Sequence, residues 1–312
     1  MIINRSFKEF KLQHRSKKNQ IIYSSKKVQS DKEVLNLIDN FLIEKNSFIF
    51  ESVEKGKIKG RYTIFGKNPD KIWEFNNNNS FLIKNNKKVK LKEKPQILIE
   101  NIIEDFKFKI PSGLPSISSL ISGYFSYDTI RYIENIPNKC KDDLKVPDVR
   151  LLRPRILVIH DNLKKKIFYI VNIFKDEKIS NYPKKYLGIK SELSKLFTQS
   201  LKAKDKTTNE KKLAKINVKS NTSKNKFLSM VNKAKKYIKI GDIFQVVLSQ
   251  RFETKLTKKP LDIYKKLRIT NPSPFMFFFN FNDFQIIGAS PEILVRLRAV
   301  SYTHLRAHET RS

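Results

Sequence analysis

Residues 155–174 read RILVIHDNLKKKIFYIVNIF, two runs rich in β-branched and aromatic residues on either side of a short polar stretch. Short apolar runs that end at turn-forming residues are typical of buried strands. Because only four residues separate the two runs, we expect them to pair as antiparallel strands. The sequence therefore predicts a sheet in the middle of the chain.

Single helices and further strands flank this pair. Residues 95–106, PQILIENIIEDF, have the apolar spacing of an amphipathic helix and begin with a proline. Ser30 and Glu33 form a capping-box pattern ahead of another helical segment. Further strands are predicted at 47–53, 61–66, 71–75, 80–85, 242–252, 275–281, 284–288 and 293–297. This alternation predicts an α+β fold in which antiparallel sheets pack with helices.

A change in composition predicts the domain boundaries. Residues 198–226 are charged, rich in Ser, Thr and Asn, and nearly free of large apolar side chains, which is typical of a linker. We expect a first domain at 31–197 and a second at 227–297. Residues 1–30 are polar and basic, and we expect them to form an extension that is poorly ordered at its start.

The charge balance raises the possibility of a nucleic-acid-binding protein. The chain has 64 Lys and Arg against 30 Asp and Glu, a net charge of +34. The excess is mostly lysine spread along the whole chain, as an AT-rich gene would produce. A nucleic-acid-binding protein would concentrate Lys and Arg on one element, with aromatic residues between them. We therefore expect no nucleic-acid partner; saturable binding that weakens log-linearly with salt would contradict this.

Other function classes are excluded by simpler features. A single cysteine excludes a disulfide framework and a cysteine-rich metal site. No apolar stretch is long enough to span a bilayer, so we expect no membrane association. The N-terminus lacks the apolar region of a secretory signal, and we expect the protein to be cytoplasmic.

Four segments form a more specific pattern. They read FIFESVEKGKIKGRYTIFG (48–66), SGYFSYDTIRYIENIP (122–137), AKKYIKIGDIFQVVLSQRF (234–252) and NPSPFMFFFNFNDFQIIGASPEILVRL (271–297). In this order and at these separations they resemble component I, the large subunit, of anthranilate synthase. The resemblance runs from about residue 35 to Leu297 and implies the α+β fold of that family.

Related families differ at diagnostic positions. The large subunit of aminodeoxychorismate synthase tends to read QVNLAQRF and NPAPF, where this chain has QVVLSQRF and NPSPFM. Isochorismate and salicylate synthases carry a lysine, thought to activate water, at the position of Gln245. An amide cannot act as a general base, so Gln245 fits a nucleophile with its own lone pair, such as ammonia. The tryptophan-pathway enzyme is favoured, with aminodeoxychorismate synthase as the alternative.

The resemblance implies a reaction and its catalytic residues. Ammonia, supplied from glutamine by an amidotransferase subunit, adds to chorismate; the ring hydroxyl leaves and pyruvate is eliminated, giving anthranilate. Glu292 matches the Glu of the family's Ser-Pro-Glu motif and would protonate the leaving hydroxyl. Gln245 is the second catalytic candidate. Read alone, Gln245 is a cross-strand hydrogen-bonding residue and Glu292 a surface charge.

A metal ion is also implied. Mg²⁺ would hold the substrate carboxylate and offset its charge. Its ligands in the family belong to a C-terminal portion without counterpart here, so no metal ligand is assigned in this chain.

The resemblance further implies a feedback site for L-tryptophan. Carried over position by position, the inhibitor site consists of Glu51, Ser52, Asn271, Pro272, Pro274, Phe275 and Met276. Prolines fix an irregular backbone, an aromatic ring and a methionine can pack an indole, and oxygen-bearing side chains can meet an ammonium group. The family commonly has Leu at Phe50 and Tyr at Phe275. The alternative is a packed turn that binds no ligand.

The pattern of the family stops after Leu297. Residues 298–312, RAVSYTHLRAHETRS, look like translated sequencing-adapter DNA. His304 and His308 have the spacing of an H-x-x-x-H zinc site but lack the glutamate of that motif. We expect a truncated second domain with unpaired strand edges, and hence a chain that is inactive and prone to aggregation.

Overall fold

The predicted pair of strands lies within a ten-stranded antiparallel sheet. In the computed structural model, which describes residues 2–54, 57–58, 60–138, 141–203, 217–298 and 301–304, the pair forms β9 (Val149–Asp161) and β10 (Lys166–Ile173). Lys166 lies opposite Asp161 and Val171 opposite Ile156. The short polar stretch between the runs is the hairpin turn, as predicted.

The remaining elements follow the same alternation of strands and single helices. The helices are α1 (Phe7–Arg15), α2 (Lys32–Phe41), α3 (Pro95–Asp105), α4 (Tyr182–Leu201), α5 (Lys224–Lys239) and α6 (Pro260–Thr270), with a 3-10 helix at Tyr127–Tyr132. The first strands are β1 (Gln20–Lys27), β2 (Ser47–Glu51), β3 (Val53–Glu54), β4 (Lys57–Ile58), β5 (Tyr62–Asn76), β6 (Asn79–Lys84), β7 (Lys87–Leu91) and β8 (Ser122–Phe125). The later strands are β11 (Lys219–Ser220), β12 (Phe252–Glu253), β13 (Phe275–Asn280), β14 (Gln285–Ser290), β15 (Val295–Arg298) and β16 (Ser301–His304).

The large sheet runs in the order β1-β10-β9-β5-β2-β13-β14, and β6, β7 and β8 extend it at one end of β5 and β9. Alternate residues of β9 belong to different cores, because successive side chains point to opposite faces. Ile156 and Val158 pack with residues of α1, α2 and α4, whereas Leu157 and Ile159 pack on the other face. The continuous apolar run in β9 therefore reflects burial on both faces, and the α+β prediction is confirmed.

The N-terminal segment differs from the predicted extension. It forms α1 and β1, and β1 pairs along its whole length with β10. Phe10 is fully buried in the core with α4. Charged residues dominate this segment, but its few apolar side chains fall at the spacing that one buried face requires.

The domain division also differs from the predicted one. Met1–Lys204 and Pro260–Ser312 form one compact unit, and Asp205–Lys259 form the other. Residues 260–297 thus belong to the first unit, because β13 pairs with β2. Within the predicted linker, α4 extends to Leu201 and α5 begins at Lys224, while residues 204–216 lie outside the described part of the chain.

The predicted strand at 242–252 is also largely absent. Only Phe252 and Glu253 form a short strand, and the residues before them are irregular. Phe244 and Val247 are 87% and 83% exposed. A strand needs a neighbour for its backbone groups, and residues 242–251 have no ladder partner among the described residues.

The two strands predicted at 61–66 and 71–75 form one strand, β5, with an irregularity in its pairing with β9 at Pro69.

Most of the predicted tail, residues 298–312, lies outside the described residues. Residues 299–300 and 305–312 are not described, and the backbone of β16 pairs with β15. Among the described residues, no helix has the length and apolar character needed to cross a bilayer.

We expect the buried His160 to make the fold sensitive to acid. His160 is fully buried on the α2 side of β9, and neither ring nitrogen has a hydrogen-bond partner among the described residues. Burial, helped by the nearby Lys165, lowers the pKa of His160. The unfolded chain therefore binds the proton first, so stability should fall as the pH drops below about 6.5, by at most about 1.4 kcal/mol per pH unit for this group.

Urea unfolding between pH 7.5 and 5.5 measures this loss. His160→Leu should remove part of the slope. Thr63→Val is the matched control, because Thr63 lies directly opposite His160 and its buried hydroxyl also has no partner among the described residues, but it does not titrate in this range. An unchanged slope in His160→Leu would contradict the prediction.

A methyl group at Gly123 should separate two strands. Gly123 of β8 pairs with Leu151 of β9, and a Cβ atom there would lie 1.9 Å from the carbonyl oxygen of Arg150. Backbone cannot move aside like a side chain, so Gly123→Ala should lower the free energy of unfolding by about 3 kcal/mol. Gly188→Ala in α4 is the control: it meets open space and should stabilise by roughly 0.5–1 kcal/mol. The free energies of unfolding of both variants are measured in urea. A Gly123→Ala variant as stable as the wild type would contradict the prediction.

Candidate functional site

The structure brings together the two segments that were predicted to form the inhibitor site. β2 and β13 are neighbours in the large sheet, and Glu51 lies directly opposite Met276. Just beyond the end of β2, the backbone N–H of Val53 donates to the carbonyl of Ser273 at 3.0 Å. Residues that are more than 200 positions apart in sequence therefore meet at one end of a strand pair.

The turn before β13 is held by a residue that the sequence analysis missed. Ser273 is buried, its hydroxyl donates to the carbonyl of Ser290 in β14, and it accepts from the N–H of Phe275 at 3.4 Å. Pro272 and Pro274 have no N–H to donate, so Ser273 supplies the hydrogen bonds that fix this turn. A serine between two prolines was the only local signal for this role.

The carboxylate of Glu51 is buried in an ion pair. Its side chain is almost fully inaccessible, and Oε1 accepts from Arg268 Nε at 2.8 Å and from the hydroxyl of Tyr264. Both partners lie on α6, four residues apart and therefore on one face of the helix. The other oxygen, Oε2, is buried and has no hydrogen-bond partner among the described residues.

Tyr264 and Arg268 were not predicted as site residues. A sequence signal for them does exist. A tyrosine and an arginine lie four residues apart on the apolar face of a helix, and this helix leads directly into the NPSP segment. Tyr264 is fully buried, and desolvation, followed by the charge of Glu51, raises the pKa of its phenol well above the ordinary value. The phenol therefore remains protonated and is a permanent donor to Glu51.

The seven predicted residues differ in exposure. Glu51 and Met276 are buried on the face of the sheet that α6 covers. Ser52, Pro272 and Phe275 are partly buried, and Asn271 and Pro274 are exposed. Strand alternation directs Phe275 away from Met276. Asn271 and Pro274 are thus the accessible residues of the candidate site, Ser52, Pro272 and Phe275 are partly accessible, and Glu51 and Met276 are not.

A glycine lies close to Ser52. A Cβ atom at Gly60 would come within 2.4 Å of Cβ of Ser52, so only glycine fits against Ser52 in this arrangement.

The two predicted catalytic residues lie in different units. Gln245 belongs to Asp205–Lys259 and is exposed in the irregular stretch before β12. Glu292 belongs to the other unit and is exposed in the turn after β14, where its carbonyl accepts from Ser290 Oγ at 3.0 Å. Gln245 does not lie in a strand, so it is not the cross-strand hydrogen-bonding residue that its sequence position suggested. Their catalytic roles remain predictions.

The described residues do not fit a Mg²⁺ site. No group of three or more His, Cys, Asp or Glu side chains is gathered within them. Hard cations such as Mg²⁺ require several oxygen ligands at once. No catalytic step is therefore assigned to a metal ion held by this part of the protein.

Comparisons with known proteins give the relatives of the chain. It is 36% identical over 285 residues to anthranilate synthase component 1 of Acetivibrio thermocellus, covering 89% of this chain and 57% of that protein. It is 33% identical over 306 residues to the protein of the same name from Cereibacter sphaeroides, covering 94% and 60%. The chain thus spans somewhat more than half the length of these curated relatives.

A solved structure has the same fold. The crystal structure of anthranilate synthase component I from Streptococcus pneumoniae TIGR4 superposes with a TM-score of 0.63 at 29% identity, covering 78% of this chain and 53% of that one. The sequence model described as chorismate binding enzyme matches residues 45–303, which include both strands of the candidate site and both predicted catalytic positions. With most of its length matched in this way, the chain belongs to the chorismate binding enzyme family.

Proposed function

We propose that this chain is part of the large subunit of an anthranilate synthase, which converts chorismate and ammonia to anthranilate and pyruvate in tryptophan biosynthesis. The observation that carries the proposal is the 36% identity to anthranilate synthase component 1 across 89% of the chain. The sequence differences from aminodeoxychorismate synthase, QVVLSQRF and NPSPFM, favour it over that alternative.

In the proposed reaction, ammonia forms a C–N bond to the chorismate ring while the ring C–O bond breaks. Glu292 gives a proton to the departing oxygen, which leaves as water. Gln245 contacts the nucleophile by hydrogen bonding and takes no proton, because an amide is not a base. Loss of a ring proton and of the enolpyruvyl group, which leaves as pyruvate, then makes the ring aromatic.

The remaining parts of the proposal concern regulation and partners. L-tryptophan binds as a feedback inhibitor at the end of β2, supported by the adjacency of Glu51 and Met276. A glutamine amidotransferase subunit supplies ammonia. Mg²⁺, held by ligands outside the described residues, would offset the charge of the substrate carboxylate. The proposed location is the cytoplasm.

The test starts from source DNA. The reading frame through the Leu297 codon is amplified, sequenced and expressed, and its product is given chorismate, ammonium and Mg²⁺. Anthranilate, detected by its fluorescence, is the expected product. Aminodeoxychorismate or isochorismate in its place would overturn the proposal. The 312-residue chain, assayed in parallel, is expected to be inactive.

A further inference from the structure

A cavity of about 530 Å³ lies between the first half of α4 and the sheet strands β9 and β10. Its floor consists of aliphatic side chains that belong to the core beneath α4, namely Ile156, Val171, Ile179 and Ile189. This volume is within the range of small-molecule sites in proteins. Its lining includes none of the predicted catalytic or inhibitor-site residues, so the proposed function gives it no role.

The rim of this cavity is positively charged. Its charged residues are four cations and two anions: Arg155, Lys178, Lys184, Lys185, Glu177 and Glu192. Glu177 accepts from Arg155 Nη1 at 2.8 Å and also forms an ion pair with Lys185. Desolvation raises the pKa of Glu177, but the hydrogen bonds and charges of these two cations together hold it below its ordinary value. One ionised carboxylate is therefore shared by two cations.

The other two lysines of the rim have no carboxylate of their own. The amino groups of Lys178 and Lys184 are exposed and make no ion pair within the described part of the chain. Lys178 precedes α4, and Lys184 lies in its first turn. Glu192 lies about 12 Å further along the helix axis. A negative group is thus favoured at the end of the cavity near the start of α4 and disfavoured at the Glu192 end.

A glycine in the wall of the cavity has no explanation within the protein itself. Gly188 lies in the interior of α4, where glycine is less favourable than alanine because it loses more backbone freedom on folding. A Cβ atom there would meet no atom within 4 Å, so no neighbouring group requires the glycine. The missing side chain leaves the helix backbone open to the cavity, as the close approach of a ligand to a backbone requires.

We propose that this cavity binds a small organic anion, a carboxylate that carries an apolar ring or branched chain. The carboxylate lies near Lys178 and Lys184, and the apolar part covers Ile156 and Ile189 and packs against Gly188. The aliphatic floor requires the apolar part, and the excess positive charge of the rim requires the negative group. This site is separate from the residues of the proposed function and does not depend on them.

The experiment follows two matched probes by fluorine NMR on the 312-residue chain. 4-Fluorobenzoate has a ring and a negative charge, and 4-fluorobenzamide has the same ring without the charge. 4-Fluorobenzoate should bind saturably, and 4-fluorobenzamide should not bind at the same concentrations. A wild-type chain that does not bind 4-fluorobenzoate, or that binds both probes equally, would overturn the inference.

A first variant fills the cavity. Gly188→Leu should weaken 4-fluorobenzoate binding by about tenfold or more, because the added side chain takes the place of the ligand. Urea unfolding should show no loss of stability, since the position meets open space. Ser194→Leu is the control, because it adds leucine at an exposed position of α4 outside the cavity and should leave binding unchanged. Unaltered binding in Gly188→Leu would place the probe elsewhere and overturn the inference.

A second variant removes the charges of the two lysines without touching the helix wall. Lys178→Gln combined with Lys184→Gln should weaken 4-fluorobenzoate binding by about three- to tenfold, the effect of two exposed ion pairs. The control combines Lys195→Gln with Lys202→Gln, two exposed lysines in and just after α4 that do not line the cavity. An equal loss in both pairs would mean attraction by the general charge of the chain and would overturn the site.

Discussion

Replacing Glu292 with glutamine is expected to lower the rate of anthranilate formation by about 10²- to 10⁴-fold, the range for loss of a general acid. Glutamine has nearly the same shape but cannot give up a proton to the leaving hydroxyl. Glu292 is exposed in the turn after β14, and the contacts of this turn with Ser290 are made by backbone atoms of residue 292. Stability should therefore change by no more than about 0.5 kcal/mol.

The rate is measured by anthranilate fluorescence on the product of the source reading frame, and stability by thermal unfolding of the same protein. Glu253→Gln is the matched control, because Glu253 is also an exposed glutamate and has no predicted role. If Glu292→Gln kept the wild-type rate, the leaving group would be protonated by another residue, and the assignment of Glu292 would be wrong.

Replacing Arg268 with methionine is expected to lower the free energy of unfolding by about 3–5 kcal/mol, the range for removing one partner of a buried ion pair. Methionine fills much of the same space, so the loss comes from the carboxylate of Glu51 and not from a cavity. Glu51 would keep its hydroxyl donor, Tyr264, but lose its positive partner. An unpaired charge cannot be hydrated at this depth.

Urea unfolding of the 312-residue chain tests this. The double variant Glu51→Gln with Arg268→Met is the control, because the amide removes the charge and still accepts from Tyr264. Buried ion pairs replaced as a whole often cost little, so the double variant should recover most of the lost stability. If both variants were equally destabilised, packing and not charge would explain the role of Arg268.

The local pattern of apolar and polar residues was sufficient to predict most of the helices and strands. The strands of 155–174 and the helix near 95–106 could be predicted because burial imposes a period of two or of 3.6 residues on the sequence itself. The adjacency of Glu51 and Met276 was reached in a different way, from the resemblance of four segments to a known family. No local period connects two positions that lie so far apart.

Other features depend on neighbours that local patterns do not reveal. Residues 242–252 have the composition of a strand, but β structure needs a partner, and only Phe252 and Glu253 have one. Residues 1–30 have the composition of an extension, but β10 offers β1 a complete edge. In both cases the presence or absence of a pairing strand, and not the local composition, determined the structure.

The sequence by itself determined the α+β class, the positions of most helices and strands, and the family. The tertiary structure alone decided that α6 supplies the partners of Glu51, from positions 213 and 217 residues further along the chain. It also decided that the hairpin of β13 and β14 completes the sheet of the first unit. The physical reason is that periodicity records which face of an element is buried, whereas the side chains that meet on that face are set by strand register and helix packing across the whole fold.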